Sequence, residues 1–292
     1  MPTVANALRP PKSPNLFVTP EVYEQRHQEQ HNNALRIYFN QLDNLFQTLL
    51  ELGTGGGIYL RSPHGVFQDG TSQTIPANAE QVTRFDTTDL SNGVSLGSHT
   101  AVFAGTIDDG TPPGAGTVLT VSTTTSGTIL LGMTLTGGAI TAGTKVVSQT
   151  SGTAGGVGVY VVSVSQERTL LTITGTVQSK IVVTEPGIYN LQFRTQYQNI
   201  DAANQTISVW LRKNGTDVVG SNSFITVPLG QGCALAPQSY LLTLNADGYV
   251  EIWWSSISAN VSLFFAAAGT SPTRPTTSSV TANMTFVSAL TS

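Results

Sequence analysis

The chain changes its hydrophobic period once, close to residue 53. Before that point apolar side chains recur at helical spacing. Leu35, Tyr38, Leu42, Leu45, Leu49 and Leu52 are separated by steps of 3, 4, 3, 4 and 3, the a/d pattern that lets a helix bury a stripe against another helix. Ile37, Phe39, Phe46 and Leu50 widen the stripe, whereas the preceding EVYEQRHQEQHNN is polar nearly all round. The pattern predicts one helix over residues 19–53. Thr19 is its cap, Pro20 its first position, Glu21 and Glu24 lie at its positive end, and Gly53 is its stop. The apolar half admits two readings, a broad face packed on the rest of the chain or a parallel bundle of three chains seamed by the six residues above. His31 falls on that seam if the polar half joins the bundle.

From Ser62 onward the period is two. YNLQFRTQY (189–197), TISVWLRKNG (206–215), YLLTLNADGYVEIWWSS (240–256), NVSLFFAAA (260–268) and TANMTFVSAL (281–290) alternate between turn signals. Short strands with no helix between them predict a sandwich or barrel. Lys213-Asn214-Gly215-Thr216 and Asn245-Ala246-Asp247-Gly248 have the chemistry of tight turns, since Asn, Asp and Gly accept positive φ. Residues 100–176 stand apart. They hold no Trp and few charges, are rich in Gly and Thr, and read as a small β domain inserted into a loop, where insertions are tolerated. The expected fold is thus mainly β. A jelly-roll sandwich with a small inserted β domain is preceded by one long N-terminal helix. The expected divisions are an extended arm with four prolines at 1–18, the helix at 19–53, a Gly-rich hinge and first strands at 54–99, the insert at 100–176, and the rest of the sandwich at 177–292.

Composition narrows the function. Charged residues make up 10% of the chain, against about 25% in ordinary proteins. The net charge is -4 and the cations are scattered. A nucleic-acid partner is not expected, because neutralising phosphates takes a basic stripe. Neither is membrane insertion, because no run approaches about 18 apolar residues, nor secretion, because residues 1–20 lack an apolar core run. Cys233 is the single cysteine, so no internal disulfide forms; it is expected to be a small buried hydrophobe.

Candidate chemistry falls to plainer readings. His27 and His31 are four apart, but the sequence is His-Gln-Glu-Gln-His, and the zinc-peptidase pattern places Glu directly after the first His. His64 and His99 lie far off. Asp108-Asp109-Gly110 reads as a turn that, with other oxygens, would hold calcium; it lacks the spaced acids of an EF-hand. The Gly-rich GTGGGIYL (53–60) lacks the Lys-Ser/Thr of a phosphate loop. Glycosidic cleavage needs two carboxylates flanking a sugar. Asp201, Asp217, Asp247 and Glu251 are available, and nothing in the sequence selects a pair. The expectation is a protein with no catalytic residues, no metal and no cofactor.

Two resemblances add to this. Residues 178–290 resemble a C1q/TNF-type jelly roll. The motifs are Val183-Thr-Glu-Pro-Gly-Ile-Tyr189-Asn-Leu-Gln-Phe193, Val209-Trp-Leu-Arg-Lys-Asn-Gly215, Leu242-Thr-Leu-Asn-Ala-Asp-Gly248-Tyr-Val-Glu-Ile252 and Met284-Thr-Phe286-Val. The third reads Asp-Gly where that family has Gly-Asp, and the end lacks its Phe-x-Gly. Residues 78–96 resemble the domain's first strands. Asn15-Leu-Phe-Val, the helix segment Leu35-Arg-Ile-Tyr-Phe-Asn-Gln-Leu-Asp-Asn44 and Gly158-Val-Tyr-Val-Val-Ser163 of the insert are similar to segments of tailed-phage (cyanophage-like) virion proteins.

The first resemblance implies a homotrimer, with Trp210, Trp253, Trp254, Phe264 and Phe265 as interface residues or, in the plainer reading, core residues. Trp253 and Trp254 must take opposite faces of their strand, so one of them is expected to leave the sandwich core for a subunit interface. The second resemblance implies a virion location. It points to a tail fibre or receptor-binding subunit that docks on other virion proteins through residues 1–30 and meets a host-surface glycan or protein. The alternative is a head-fibre, decoration or tail-assembly protein without receptor binding.

Overall fold

The computed structural model describes Pro14, Val22 and residues 24–50, 62–108 and 116–290. The expected arm apart from Pro14, the Thr19–Pro20 helix start, seam residue Leu52, the Gly-rich hinge at 53–60 and Asp109-Gly110 lie outside the described residues, as does the side chain of Leu49. The chain divides into two units, Met1–Ser62 and Pro63–Ser292.

In the first unit, α1 (Gln25–Leu50) is the described element; 26 residues give a helix about 39 Å long. Its polar half is supported by side-chain pairs one turn apart: the Gln25 amide donates to the Glu29 carboxylate at 3.0 Å and the Gln28 amide to the Asn32 side-chain carbonyl at 3.2 Å. His27, His31, Leu35, Tyr38, Leu42 and Leu45 form one half-buried stripe. Beside it Phe39 and Phe46 remain 57% and 54% exposed, and Ile37 is 49% exposed. Among the described residues, no helix is long and apolar enough to cross a membrane.

The second unit is an antiparallel β structure. Its first strands are β1 (His64–Asp69), β2 (Gln73–Thr74), β3 (Ala79–Val82), β4 (Thr87–Asn92) and β5 (Val94–Asp108). Next come β6 (Gly116–Ser126), β7 (Thr134–Thr136), β8 (Val146–Gly152), β9 (Gly158–Gln166) and β10 (Arg168–Val183). The chain continues through β11 (Gly187–Asn199), β12 (Gln205–Lys213), β13 (Thr216–Asp217), β14 (Ser223–Val227), β15 (Gly232–Leu244) and β16 (Tyr249–Ser256). It ends with β17 (Val261–Leu263), β18 (Gly269–Thr270), β19 (Thr273–Arg274) and β20 (Val280–Ser288). One sheet runs β2-β17-β11-β20-β1-β4 with β15 beside β11. The other runs β13-β12-β16-β10-β5-β6-β9-β8, with β14, β3 and β7 on its flanks. The first and last long strands lie side by side, as a jelly-roll sandwich requires. The turns follow their chemistry. Asn214 (φ 49°) and Gly215 (φ 83°) close the β12–β13 hairpin, and Asp247 (φ 58°) precedes β16.

The motif positions also meet. Tyr189 and Phe286 pack edge to face at 5.5 Å. Gly187 makes room for them, since a Cβ there would lie 2.4 Å from the Phe286 ring.

Two cores form on opposite faces of one continuous sheet. Strands β5 and β10 pair from Val94↔Val183 at the base to Ile107↔Arg168 at the tip, so the segment between them grows out of the sandwich as a β ribbon. Near the base, Val94, Ile181 and Val183 bury into the sandwich core with Tyr189, Leu191, Tyr197 and Trp254. Farther out, Ala101, Phe103, Ile107, Ile173 and Val177 bury into a second core with Leu119, Leu130, Met133 and Tyr160. Val177 and Ile181 are both odd-numbered, so an unbroken strand would put them on one face. A β-bulge between Gln178 and Lys180 in the pairing with β5 supplies the extra residue that flips the buried face.

The two tryptophans do take opposite faces, but the expected destination of the outward one is corrected. Trp254 is fully buried in the sandwich core, 5.5 Å from the Tyr197 ring. Trp253 is 2% exposed and belongs to the second core together with Val82. The chain's own inserted segment closes over the outer face of the sheet, so neither tryptophan is available to a subunit interface. Cys233 is corrected too. It lies exposed on edge strand β15, where an outward position has no core to enter.

Candidate functional site: a polar cleft between the two cores

The second core folds back over the sandwich and leaves a cleft of about 500 Å³ at the junction. One wall comes from the start of the sandwich, with Asp69 at the end of β1, Thr71 beyond it and Arg84 to Asp86 after β3. The other comes from the ribbon and the insert, with Ser98 on β5, Thr134 on β7, Lys145, and Thr176 and Gln178 on β10. Register explains the second wall. Thr176 lies opposite Thr134, and Gln178 opposite Ser98. Residues directly opposite in an antiparallel pair share a face, and Thr176 and Gln178, two apart, share that face as well.

The first wall is held by hydrogen bonds. Asp69, 2% exposed, accepts from the Thr71 amide at 2.7 Å, the Thr71 hydroxyl at 2.6 Å and the Gln73 amide group at 2.8 Å. Asp86 accepts from the Gly70 amide at 3.1 Å and the Thr87 hydroxyl at 2.8 Å. Arg84 lies between the two carboxylates. Its Nη2 donates to the Ser72 carbonyl at 3.2 Å, and its Nε faces Asp69 at 4.0 Å, where it has no hydrogen-bond partner. Burial raises the Asp69 pKa, with the Thr71 hydrogen bond and Arg84 opposing. Burial lowers the Arg84 pKa, with Asp69 and Asp86 opposing.

Gly132 anchors the insert onto this wall. It has φ +84°, and a Cβ there would lie 1.6 Å from Arg84 Nη1. Gly132→Ala therefore meets both backbone strain and a collision. It is expected to lower stability by about 2 kcal/mol or more and to displace Arg84. Chemical denaturation checks the first effect and a crystal structure of the variant the second.

A second polar cluster is buried behind the cleft. Glu251, 2% exposed on β16, accepts from the Ser179 hydroxyl at 3.0 Å and Trp253 Nε1 at 3.3 Å, and meets His99 Nδ1 at 3.4 Å. Ser179 sits in the β10 bulge and His99 on β5. Burial alone would raise the Glu251 pKa. The hydrogen bond and attraction of His99, with the Ser179 and Trp253 donors, outweigh it and hold the pKa below the ordinary 4.5. Ser179 and His99 both address the carboxylate rather than each other, so the nucleophile–base contact of a hydrolytic triad is not made. Arg212 stacks over the Trp253 ring at 4.0 Å, and Trp210 lies against the same ring at 6.5 Å.

The acids considered for a glycosidic pair are dispersed. Asp217 binds Arg212 at 2.8 Å and Trp210 at 2.9 Å, and Arg212 lies between it and Glu251 in the ladder. Asp201 accepts from Ser258, Asn260 and Gln205, which hold its pKa below the ordinary 3.8. Asp247 sits in a turn. No group of three or more metal-ligating side chains occurs among the described residues.

Of the expected interface residues, Trp210, Phe264 and Phe265 are half-buried. More exposed apolar side chains lie elsewhere on the β unit, Val219, Ile257 and Leu170 among them. Phe224 on β14 is 75% exposed, and Leu235 and Leu241 on edge strand β15 are 53% and 69% exposed. The alternation of β15 carries the signal for Leu235 and Leu241, but without the sheet order an edge strand reads like an interior one. The cleft residues had no sequence signal, because they are gathered from positions 69 to 178 by the ribbon.

No family model matches the chain, and no curated protein matches it. Among solved structures it is similar to an isomalto-dextranase from Arthrobacter globiformis T6 complexed with panose, at 14% identity and a TM-score of 0.20. The match covers 88% of this chain and 44% of that one, so the chain spans less than half of that protein's length. At this TM-score the likeness carries no argument about the site.

Proposed function

We propose that the chain is a homotrimeric structural subunit of a tailed-phage virion, anchored through residues 1–30 and α1 and presenting its β unit to the host surface. The observation that carries the reading is α1. Its half-buried stripe is flanked by Phe39 and Phe46, seven residues apart and both more than half exposed. Large aromatics at one heptad position beside an a/d seam are suited to copies of the same helix. The resemblance of the N-terminal segments to virion proteins and the order of anchor, helix and β unit support it further. On the β unit, the outward-facing Leu235 and Leu241 of edge strand β15 supply apolar side chains for contact with a copy. Pro237 stands in the middle of β15, opposite Arg194. A proline there blocks open-ended strand pairing, so copies meet through side chains.

The reading is one of binding rather than catalysis, because the acids lie apart or are engaged in fixed hydrogen bonds. Leu42→Asp places a charge in the helix seam. It is expected to dissociate the trimer while leaving the β unit folded, which light scattering and circular dichroism check together. A variant that assembles normally would remove α1 from assembly. Adsorption assays test the host-surface role. Purified protein is expected to bind host cells or block attachment, and failure of both, with the chain located on the capsid, would make it a head fibre or decoration protein instead.

A further inference from the structure

We infer that the cleft between the two cores is a binding site for an uncharged, hydroxyl-rich saccharide. The inference deepens the reading of the chain as a host-surface binder and rests on it for its biological setting. Three observations carry it.

The first is a set of unused polar groups. The side chains of Ser98, Thr134, Lys145, Thr176 and Gln178 line the cleft, and none of them makes a hydrogen bond to another described residue. They come from three adjacent strands and Lys145, which bridges to Thr134. Register puts the Thr176–Thr134 and Gln178–Ser98 pairs on one face. An array of hydroxyls, an amide and an ammonium group donates and accepts at close intervals, as the hydroxyls of a sugar do.

The second is charge balance. Arg84 and Lys145 supply two cations and Asp69 and Asp86 two anions within one lining. An acidic or basic ligand meets both signs and gains little, whereas a neutral polyol uses the exposed Asp86 carboxylate as an acceptor and guanidinium N–H groups of Arg84 as donors. Charge-assisted hydrogen bonds of this kind are roughly twice as strong as neutral ones.

The third is shape and rigidity. The volume of about 500 Å³ falls in the range of about 300–1,000 Å³ typical of small-ligand sites. The apolar members of the lining, Phe85 and Val177, are 3% and 9% exposed, so they shape the floor and offer no pocket to an apolar side chain of a peptide. Both walls are set by backbone pairing: the Phe85 amide donates to the Gln178 carbonyl at 2.9 Å, which ties one wall to the other. A pre-formed site spares the ligand the ordering cost of a loop. Three such sites on a trimer raise weak single-site affinity by multivalency.

The test uses the full-length protein on a glycan array that carries neutral hexose and N-acetylhexosamine oligosaccharides beside sialylated and uronate-bearing counterparts. The strongest soluble binder is then titrated by calorimetry. The expected result is binding within the neutral set. The dissociation constant should rise at least tenfold in Thr134→Val/Thr176→Val, a change that keeps shape and strand propensity, with an unchanged melting temperature. Gln178→Ala, at an exposed rim position, is expected to weaken binding as well, and it serves as the readout if the double variant fails to fold. Absence of binding to any neutral glycan would overturn the inference, as would binding confined to the acidic set or a neutral binder indifferent to these variants. Host adsorption without glycan binding would leave the attachment role standing and remove only this site.

Discussion

Replacing Trp253 with alanine is expected to destabilise the β unit by about 3–5 kcal/mol, with no change in the number of chains per assembly. The side chain is 2% exposed between the sandwich sheet and the second core. Truncation opens a cavity where two sheets of packing meet. It also removes the donor to Glu251, the partner of the Trp210 ring and the platform for Arg212. The two possible destinations of an outward tryptophan separate cleanly. A residue at a subunit interface loses assembly first and folding second, whereas a residue in an intrachain core loses folding alone. Chemical denaturation and light scattering on one preparation give both readouts, and dissociation with unaltered stability would return Trp253 to the interface.

Glu251→Ala is expected to have the second-largest effect, about 3 kcal/mol or more at neutral pH. It strips the acceptor from Ser179, Trp253 and His99, and each buried donor left unpaired costs roughly 1–3 kcal/mol. The pH dependence has a definite sign. The folded pKa of Glu251 is below its ordinary 4.5, so its contribution is present above that value and is lost as the pH falls through the folded pKa. Asp69 is opposite. Its pKa is raised above 3.8 by burial, so its contribution is present below 3.8 and is lost as the pH rises through the folded value. The wild type is expected to lose stability on acidification below about pH 4.5 in part through Glu251, and Glu251→Ala to show a flatter acid limb. Denaturant melts from pH 7 to pH 3 measure it; an unchanged acid limb in the variant would mean that the Glu251 cluster does not control it.

The sequence made the secondary structure legible where one physical rule acted alone. Alternation marked the strands around Tyr189, Val209 and Trp253, and Asn214-Gly215 marked a hairpin because few other residues accept that backbone. Residues 100–176, set apart by composition, supply most of the second core, and the strands that carry them run back to Val94 and on to Val183 because the ribbon continues the sandwich sheet. Alternation also predicted that Trp253 and Trp254 diverge. Where the outward one went was not legible. It depends on the bulge between Gln178 and Lys180 and on the ribbon folding back, and a one-residue register change leaves no periodic trace. The cleft was hidden for the same reason, since Thr134, Thr176 and Ser98 are ordinary strand residues until β5, β7 and β10 align. The exposure of Cys233 and Leu241 is not legible in the sequence, because burial of an outward position depends on whether a strand lies at an edge, and edges are set by topology.

The most direct test of the proposed homotrimer is the mass of the full-length protein in solution. Sedimentation equilibrium at micromolar concentration is expected to give about three times 30.7 kDa, falling to a single chain in Leu42→Asp. A wild-type protein that sediments as a 30.7 kDa monomer at the same concentration would contradict it.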